Sequence, residues 1–434
     1  MNDPGAGIIG VCVLLALLLL GMPIGVALGL VGLGGLVLTI GLEPTLIKSG
    51  VLLFETMSRY ELGTLPLFML MAHLCFSANA SRDFFDVATR FLGHRRGGLA
   101  IASVAGCAGF GSINGSSLAT TATIGLVALP EMRRHGYSDS LSTGAVAAGG
   151  TLGQMIPPSG ALIVFGIVAE QSIGSLFTAA IVPGITQMLS YFLVIAVIVR
   201  IWPGIAPRLA RTGWKERLSS LRRIADIGLL VVLVTGGIAM GWVTPSEAAA
   251  VGAAGAMVIC ALRRRFSIPG LRVALEETLK TSGLIYMVII GALVFAAFIS
   301  VTGLTGQIGS AIGGLGLGPV GTMLLVAVFL LVIGSVLDGL AMMLLTTPIL
   351  LPLVADLGLS PIWFGIFLVR AMEIGFVHPP IGMNLYVIQG VAKDVPLGRI
   401  FKGVLPFLAA DLVHLTLLVV FPVIALGLPQ WLGR

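Results

Sequence analysis

Apolar stretches about the length of a membrane-crossing helix follow one another along the whole chain. A crossing helix needs about 20 consecutive apolar residues, and only 10% of the 434 residues are charged. Soluble globular proteins carry about 25% charged residues, so the sequence excludes a soluble enzyme and predicts an all-α polytopic membrane protein. The predicted spans are 6–20, 23–40, 62–80, 138–168, 176–200, 224–243, 245–262, 281–300, 360–392 and 403–427.

Short basic clusters between these stretches predict the orientation. Lys and Arg concentrate on the cytoplasmic side of membrane proteins, which places the clusters at 200–223, 263–265 and 393–402 in the cytoplasm and both termini outside. The clusters account for the net charge of +6, which therefore does not indicate a nucleic-acid partner. The linker at 200–223 is either a solvated loop or a helix on the lipid headgroups. Segments 43–60 and 266–280 mix charged and apolar residues, and we expect surface helices there.

Two further apolar stretches, 97–130 and 319–352, are predicted to be re-entrant helical hairpins. The first is flanked by basic pairs at 95–96 and 133–134, so both of its ends belong in the cytoplasm. Its middle, 111–117, is rich in glycine and hydroxyl groups. Irregular backbone at membrane depth is tolerated only when it is buried in protein or lines a cavity. The second stretch has no basic flanks, and we expect it to enter from the opposite side.

Shifting the chain by 222 residues aligns the second half with the first. Pro130 then falls on Pro352, and Gly153 falls on Gly375. Each half would hold five spans and a hairpin, so the halves would be inverted relative to each other, which is typical of secondary transporters. The predicted first repeat, 1–223, contains scaffold spans in 6–80, hairpin 97–130, broken helix 138–168, span 176–200 and linker 200–223. The predicted second repeat, 224–434, contains scaffold spans in 224–300, hairpin 319–352, broken helix 360–392 and span 403–427.

Glycine and proline interrupt both predicted discontinuous helices, at 149–160 and 373–384. Proline lacks a backbone donor and glycine permits unwinding, so backbone carbonyls there are free to bind other groups. Such oxygens suit Na⁺, and the N-termini of half-helices attract carboxylates. The breaks and the hairpin tips therefore predict a solute-binding site inside the membrane.

Polar side chains crowd the first tip. Ser112, Asn114, Ser116 and Ser117 are candidate ligands, because an unpaired polar group is costly in lipid. Hydroxyl groups can instead bond back to helix carbonyls, and we expect this of Thr121.

The second tip contains Asp338, either a ligand or the N-cap of the next helix. Thr346 could bind an ion or bond within its helix. Arg370 and Glu373 share a helix face and form either an internal ion pair or, through Arg370, a contact to a substrate carboxylate.

Four motifs together resemble one family, the large membrane subunit of TRAP (tripartite ATP-independent periplasmic) transporters of the dicarboxylate-transporter M type. The resemblance covers essentially the whole chain. The motifs are NGSSLAT at 114–120, GQMIPPS at 153–159, TPSEAAA at 244–250 and GFVHPPIGMNL at 375–385.

The resemblance implies an inverted-repeat, elevator-type importer in the bacterial inner membrane, with Na⁺ as coupling ion and no other cofactor. Its implied partners are a small four-helix membrane subunit and a periplasmic substrate-binding protein, and its substrate is a C4-dicarboxylate, sugar acid or similar carboxylate. By motif, Na⁺ site one comprises Ser112, Asn114, Gly149 and Gly153, and Na⁺ site two comprises Gly334, Asp338, Thr346 and Gly375. The implied substrate-binding residues are Asn114, Ser116, Ser117, Asp338, Arg370, Pro158 and Pro380.

Two other functions remain open. A symporter or antiporter of related architecture would work without a binding protein. An intramembrane hydrolase would use Asp338 or a serine, but only Glu373 is an evident partner. The sequence lacks a G-x-x-x-x-G-K phosphate loop and an H-E-x-x-H motif, which argues against ATP hydrolysis and against the commonest membrane metalloprotease pattern.

Overall fold

The computed structural model describes residues 3–335, 337–379 and 381–433. These ranges form twenty α-helices and two short 3-10 helices, and they contain no β-strand. The α-helices are α1 (Pro4–Leu19), α2 (Ile24–Ile40), α3 (Leu42–Met57), α4 (Thr64–Ser77), α5 (Ala80–Leu92), α6 (Gly98–Asn114), α7 (Ser117–Arg134), α8 (Asp139–Met155), α9 (Gly160–Val168), α10 (Ile173–Ile201), α11 (Trp214–Met240), α12 (Pro245–Leu262), α13 (Ile268–Thr302), α14 (Leu304–Gly313), α15 (Gly318–Gly334), α16 (Gly339–Asp356), α17 (Pro361–Val377), α18 (Met383–Val391), α19 (Leu397–Val420) and α20 (Val423–Trp431).

The predicted all-α polytopic membrane fold is confirmed. Among the described residues, six helices are long and apolar enough to cross a bilayer, or up to eight spans if each bent pair counts as one. The pair α8 and α9 bends by 42° at its break, inside the region where the sequence predicts a discontinuous helix. The six single helices are α10, α11, α12, α13, α16 and α19.

Two predicted segments are continuous with the apolar helices that follow them. The surface helix at 266–280 and the span at 281–300 form one 35-residue helix, α13. Pro269 lies in its first turn and Gly303 follows its last residue, so no strong helix breaker falls between the two predicted parts. The linker at 200–223 is also partly helical, because α11 begins at Trp214 and continues to Met240.

Helices α5 and α14 were not predicted. They have 13 and 10 residues, which is too short to cross a bilayer, so a search for 20-residue apolar stretches passes over them. Phe84 and Phe85 on α5 are flanked by the charged residues Asp83 and Asp86, a mixed pattern typical of surface helices that the sequence does contain.

The helix bounds of the two halves correspond at the offset of 222 residues. Adding 222 to the bounds of α7 and α8 gives 339–356 and 361–377, which are the bounds of α16 and α17. The same shift places α5 at 302–314, next to the observed α14 at 304–313. The two unpredicted helices therefore occupy equivalent positions, which supports a duplication.

Helices α2 and α13 cross so closely that α2 needs glycine at the contact. A Cβ atom at Gly25 would lie 2.8 Å from the carbonyl carbon of Met287, and one at Gly32 would lie 2.7 Å from the amide nitrogen of Phe295. Helices in lipid associate through tight packing of small residues. This crossing, together with the packing of α12 and α13 on α4, builds the part of the fold that we call the scaffold: α2, α4, α12 and α13.

Arg263, at the end of α12, ties the scaffold together at its basic end. Its Nη1 donates to Asp83 Oδ2 at 2.6 Å and to the carbonyl oxygen of Ala78 at 2.9 Å. Its Nε donates to Asp226 Oδ2 at 2.7 Å. The hydrogen bond to Asp226, followed by that to Asp83, raises the pKa of Arg263. The guanidinium therefore stays charged, and it joins α11, α12, α5 and the turn before α5.

The two helical hairpins, α6–α7 and α15–α16, pack on the broken helices near the centre of the protein. α6 and α7 contact α8, while α15 and α16 contact α17. α8 also contacts α17, and α19 covers α8. We call the eight helices α6–α9 and α15–α18 the central bundle; α19 packs against it and is not included.

A cluster of charged side chains is fully buried where α17 meets α10 and α19. Arg370 Nη1 donates to Glu373 Oε2 at 2.9 Å, and its Nη2 donates to Asp411. Its Nε donates to His414 Nδ1 at 3.1 Å, and His414 Nε2 lies 2.8 Å from Thr186 Oγ1. The side chains of Arg370, Glu373 and Asp411 are 0% exposed. The internal ion pair between Arg370 and Glu373 is therefore present. Arg370 joins α17 to α19, and His414 extends the cluster to Thr186 on α10.

Replacing glycine at the α2–α13 crossing will separate the two helices. We expect Gly25→Ala to destabilise the protein by about 1–3 kcal/mol, the usual cost of overpacking, because a methyl group there meets the Met287 backbone. Thermal unfolding of the detergent-purified protein measures this change. Gly34→Ala on the same helix is the control, since nothing lies within 4 Å of a Cβ atom there. Equal melting temperatures for the two variants would contradict the close crossing.

Removing one partner of the buried ion cluster will be more costly. We expect Asp411→Ala to reduce the free energy of unfolding by about 3–5 kcal/mol, because it leaves the charge of Arg370 under-compensated in lipid-covered protein. Glu276→Ala is the control: it removes the partner of Arg272 in an exposed ion pair, which contributes about 0–1 kcal/mol. If thermal unfolding shows the same loss for both variants, the cluster does not stabilise the bundle.

Candidate transport site

The tip of the first hairpin contacts the break between α8 and α9. α6 ends at Asn114, Gly115 takes a left-handed conformation with φ of 61°, and Ser116 caps α7. A Cβ atom at Gly115 would lie 2.8 Å from the carbonyl oxygen of Pro158. Glycine is needed here both for the positive φ and for this approach, so the tip and the break form one structural unit.

The Asn114 side chain organises the tip. Its Oδ1 accepts from the backbone amide of Ser116 at 2.7 Å, and its Nδ2 donates to Thr120 Oγ1 at 3.0 Å. Ser116 Oγ accepts from the backbone amide of Ala119 at 3.4 Å as the N-cap of α7. Asn114 thus bridges the end of α6 and the start of α7, and it fixes the direction of the tip oxygens.

The other two tip candidates have partners inside the protein. Ser112 Oγ donates to the carbonyl oxygen of Gly109 at 2.8 Å, within its own helix. Ser117 is fully buried and shares hydrogen bonds with Asn384, whose Nδ2 donates to Ser117 Oγ at 2.9 Å and to the carbonyl oxygen of Ala147 at 3.0 Å. Ser117 therefore joins α7 to α8 and α18 rather than facing the tip.

The break between α8 and α9 supplies further polar groups. A Cβ atom at Gly153 would lie 2.6 Å from Thr120 Oγ1 and 2.9 Å from the carbonyl oxygen of Ser116. The next residue, Gln154, is buried, and its Oε1 has no hydrogen-bond partner among the described residues. A buried polar atom without a partner costs free energy, so Gln154 Oε1 is a candidate ligand atom. Gly149, by contrast, packs against the α6 backbone at Val104.

A cavity of about 170 Å³ lies where the tip, the break and the scaffold meet. The polar groups along it come from Asn114, Ser116, Gln154 and Ser159, with Thr281 on the scaffold side. Pro158 lines it as well, as the sequence predicts for a binding residue. Its remaining lining residues are apolar or glycine: Leu65, Phe68, Met69, Ile113, Gly115, Gly160, Ala161, Ile163, Val164, Ile285 and Leu340.

The second tip shows the same glycine contact but is less polar. A Cβ atom at Gly375 would lie 2.8 Å from the carbonyl oxygen of Gly334, so these two predicted site-two residues meet. Asp338 caps α16 and accepts from the backbone amide of Leu340 at 3.1 Å. Thr346 Oγ1 donates to the carbonyl oxygen of Met342 at 2.7 Å, inside its helix. Pro380 lies outside the described residues.

Asp338 and Arg370 are not among the described residues that line the cavity. Leu340, two residues after Asp338, brings the start of α16 to the cavity wall. Arg370 is enclosed by Glu373, Asp411 and His414. The structure therefore unites the first tip and the first break in one site, and it places Arg370 in the buried ion cluster.

Sequence analysis missed several of these residues. Gln154 and Ser159 fall inside a recognised motif, but neither was singled out. Asp411 is an ionisable residue within a predicted span, a pattern that by itself indicates a functional or paired group. The expectation for Thr121 was wrong: its Oγ1 is buried without a hydrogen-bond partner among the described residues, and it lies against Gly150 of α8.

Comparison with known proteins assigns the chain to a family. The model of the family described as "Tripartite ATP-independent periplasmic transporter, DctM component" matches residues 11–424. The C4-dicarboxylate TRAP transporter large permease protein DctM of Pseudomonas aeruginosa is 37% identical over 404 residues, which cover 93% of this chain and 94% of that protein. The sialic acid TRAP transporter large permease protein SiaM of Vibrio cholerae is 31% identical, with 96% of each chain covered.

A fused relative and a solved structure extend this comparison. The isethionate TRAP transporter permease protein DctMQ of Oleidesulfovibrio alaskensis is 33% identical, over 94% of this chain and 64% of that protein. The crystal structure of the Alcanivorax borkumensis YdaH transporter aligns with a TM-score of 0.62 over 92% of this chain and 90% of that chain, at 15% identity, and therefore shows a shared fold. The relatives are named as transporter permeases and not as enzymes. The chain belongs to the TRAP transporter family, as a large permease subunit of the DctM type.

Proposed function

We propose that this permease imports a small carboxylate, such as a C4-dicarboxylate, by Na⁺-coupled secondary transport. The observation that carries the proposal is the 170 Å³ cavity enclosed by the first hairpin tip, the first helix break and the scaffold. Three of the relatives are named for C4-dicarboxylate, sialic acid and isethionate, which are acidic solutes. An anion-binding cavity inside the membrane is what such a permease needs.

The cavity is suited to a carboxylate although no Lys or Arg lines it among the described residues. The N-caps of α7 and α9, Ser116 and Ser159, both line the cavity. The N-terminus of a helix carries partial positive charge and free amide donors, which favour an anion. Asn114 adds an amide side chain. Arg370 is left out of the proposed substrate site, because its guanidinium is occupied in the buried ion cluster.

Na⁺ would complete the site by supplying the positive charge that the side chains lack. For site one we propose the tip and break around Ser112, Asn114, Gly149 and Gly153, with Gln154 Oε1 as an additional ligand. Carbonyl and amide oxygens are hard ligands suited to such a cation. For site two we propose Gly334, Asp338, Thr346 and Gly375. Ser117 is left out of the proposed substrate site, because its hydroxyl group is buried and hydrogen-bonded to Asn384, and Pro380 lies outside the described residues.

We propose an elevator movement in which the central bundle slides along the scaffold. The cavity lies at the boundary between them: Asn114 and Gln154 belong to the bundle, whereas Phe68 and Thr281 belong to the scaffold. The matching helix bounds at the offset of 222 residues support two repeats of common origin, inverted in the membrane. Movement of the bundle would carry the solute past the scaffold wall.

The partners follow from the family. We propose that a small four-helix membrane subunit and a periplasmic binding protein work with this chain. The fused DctMQ relative is longer than the region matched here, since this chain covers 64% of it. A permease part and a further part therefore coexist in that single protein. A stand-alone anion:Na⁺ symporter is the second candidate, because the cavity is built from this chain alone.

Asn114→Ala should abolish Na⁺-driven uptake without preventing membrane insertion. The substitution removes both hydrogen bonds that fix the tip, and a misdirected tip cannot bind solute or ion. Uptake of radiolabelled succinate into proteoliposomes measures the effect, with a loss of at least about 100-fold expected for a misplaced binding group. Gln307→Ala on the exposed part of α14 is the control and should transport normally. Wild-type uptake by the Asn114 variant would show that the first hairpin tip is not part of the transport site.

The partner requirement has its own test. We expect purified permease to transport succinate only when its small subunit and its binding protein are added, and only with an inward Na⁺ gradient. Uptake by the permease alone, still dependent on Na⁺, would favour the stand-alone symporter. Uptake that persists after Na⁺ is replaced by K⁺ would contradict Na⁺ coupling in both cases.

A further inference from the structure

We propose that Arg95, Arg211 and Arg217, the last of which stacks on Trp214, bind the phosphate group of an anionic membrane lipid. The group lies at the basic end of the fold and shares no residue with the proposed transport site. It is formed by the turn between α5 and α6, the linker before α11, and the first turn of α11. The proposal does not depend on which solute the permease carries.

Arg217 is the central observation. It is only 5% exposed, yet no carboxylate lies within ion-pair distance of it among the described residues. Its guanidinium carbon lies 5.7 Å from the ring centre of Phe91 and 5.2 Å from that of Trp214. Its Nη2 donates to His94 Nδ1 at 3.3 Å, while its buried Nε has no hydrogen-bond partner among the described residues. A buried cation without a counter-ion is costly, so this site favours the binding of an anion.

Two further arginines add positive charge at the same place. Partial desolvation, followed by the charges of Arg217, Arg211 and Arg95, lowers the pKa of His94. All three guanidinium groups therefore lie close to one imidazole ring. The linker is held against this turn, because the amide of Leu209 donates to the carbonyl oxygen of Gly93 at 3.1 Å. The nearest acidic side chain on α11, Glu216, points to Arg90 at 3.7 Å.

The surroundings favour a lipid over a free anion. Trp214 is 67% exposed, and Leu218 on the next turn is 59% exposed. Tryptophan beside basic residues is typical of the headgroup region of a membrane. The segment 200–223 contains seven Lys or Arg residues and one acidic residue. A lipid can meet both features at once, with its phosphate on the arginines and its acyl chains on the exposed apolar side chains.

A lipid bound here would hold the connection between the surface helix α5 and the first hairpin. The turn ends at Gly97, which has a φ of 70° and leaves no room for a Cβ atom beside Ile195 of α10. The first residue of the hairpin helix α6 follows directly. Anionic lipid would thus fix the point at which the hairpin leaves the membrane surface.

Fluorescence quenching tests the site in the purified full-length protein. Detergent micelles containing phosphatidylglycerol or phosphatidylcholine, each brominated near the headgroup end of its acyl chains, quench nearby tryptophan. We expect stronger quenching by phosphatidylglycerol, and loss of that difference in Trp214→Phe. The double variant Arg95→Gln/Arg211→Gln should lower the preference for phosphatidylglycerol on the order of fivefold per lost charge, which corresponds to about 1 kcal/mol for each basic residue.

The control is Arg272→Gln, which removes one exposed charge from the start of α13, outside the cluster. It should leave the lipid preference unchanged. Arg95 and Arg211 are exposed, so the double variant should fold, and a wild-type gel-filtration profile verifies this. Equal quenching by both lipids in the unmodified protein, or an unchanged preference in the double variant, would overturn the proposal. Displacement of phosphatidylglycerol by millimolar inorganic phosphate would contradict the proposal that the ligand is a lipid, and it would assign the site to a free anion.

Discussion

The contact between the first hairpin tip and the first helix break is the constraint on which the site depends. Helices that end inside a membrane leave amides and carbonyls unpaired, and lipid cannot satisfy them. Here the two irregular segments cover each other, with Gly115 against Pro158. Because each segment protects the other, polar oxygens and helix N-termini can line a small cavity. The same contact that satisfies the backbone therefore shapes the candidate site.

Two kinds of packing hold the rest of the fold in position around that contact. Glycine lets backbones approach closely, as at Gly25 in the scaffold and at Gly375 in the second hairpin. Lipid offers no hydrophobic drive between helices, so close contact is the main source of association. The buried cluster around Arg370 adds directional bonds between α10, α17 and α19. The glycine contacts determine how closely neighbouring helices approach. The charged cluster favours contact between α10, α17 and α19 in particular.

Much of the candidate site could be predicted, for a physical reason. Asn114, Ser116 and Pro158 all line the cavity, since polar or helix-breaking residues in an apolar stretch must be buried or functional. The sequence did not show that Ser116 lines the cavity whereas Ser117 does not. Ser116 is the N-cap of α7 and Ser117 its first residue, and the side chain of Ser117 is directed towards Asn384 rather than the tip. Arg370 posed a similar problem, because two of its partners lie on α19, far away in sequence.

The sequence by itself determined that the chain is an all-α membrane protein, and its motifs indicated the TRAP family. Hydropathy and charge suffice for this, because lipid tolerates few backbone structures. The helix bounds at an offset of 222 residues also follow a pattern visible in the Gly and Pro positions. The three-dimensional packing was needed to show which polar groups share the cavity and that Arg217 is a buried cation. It was also needed to show that Gln154 Oε1 has no hydrogen-bond partner among the described residues. These properties depend on the packing of helices distant in the chain, which local sequence does not encode.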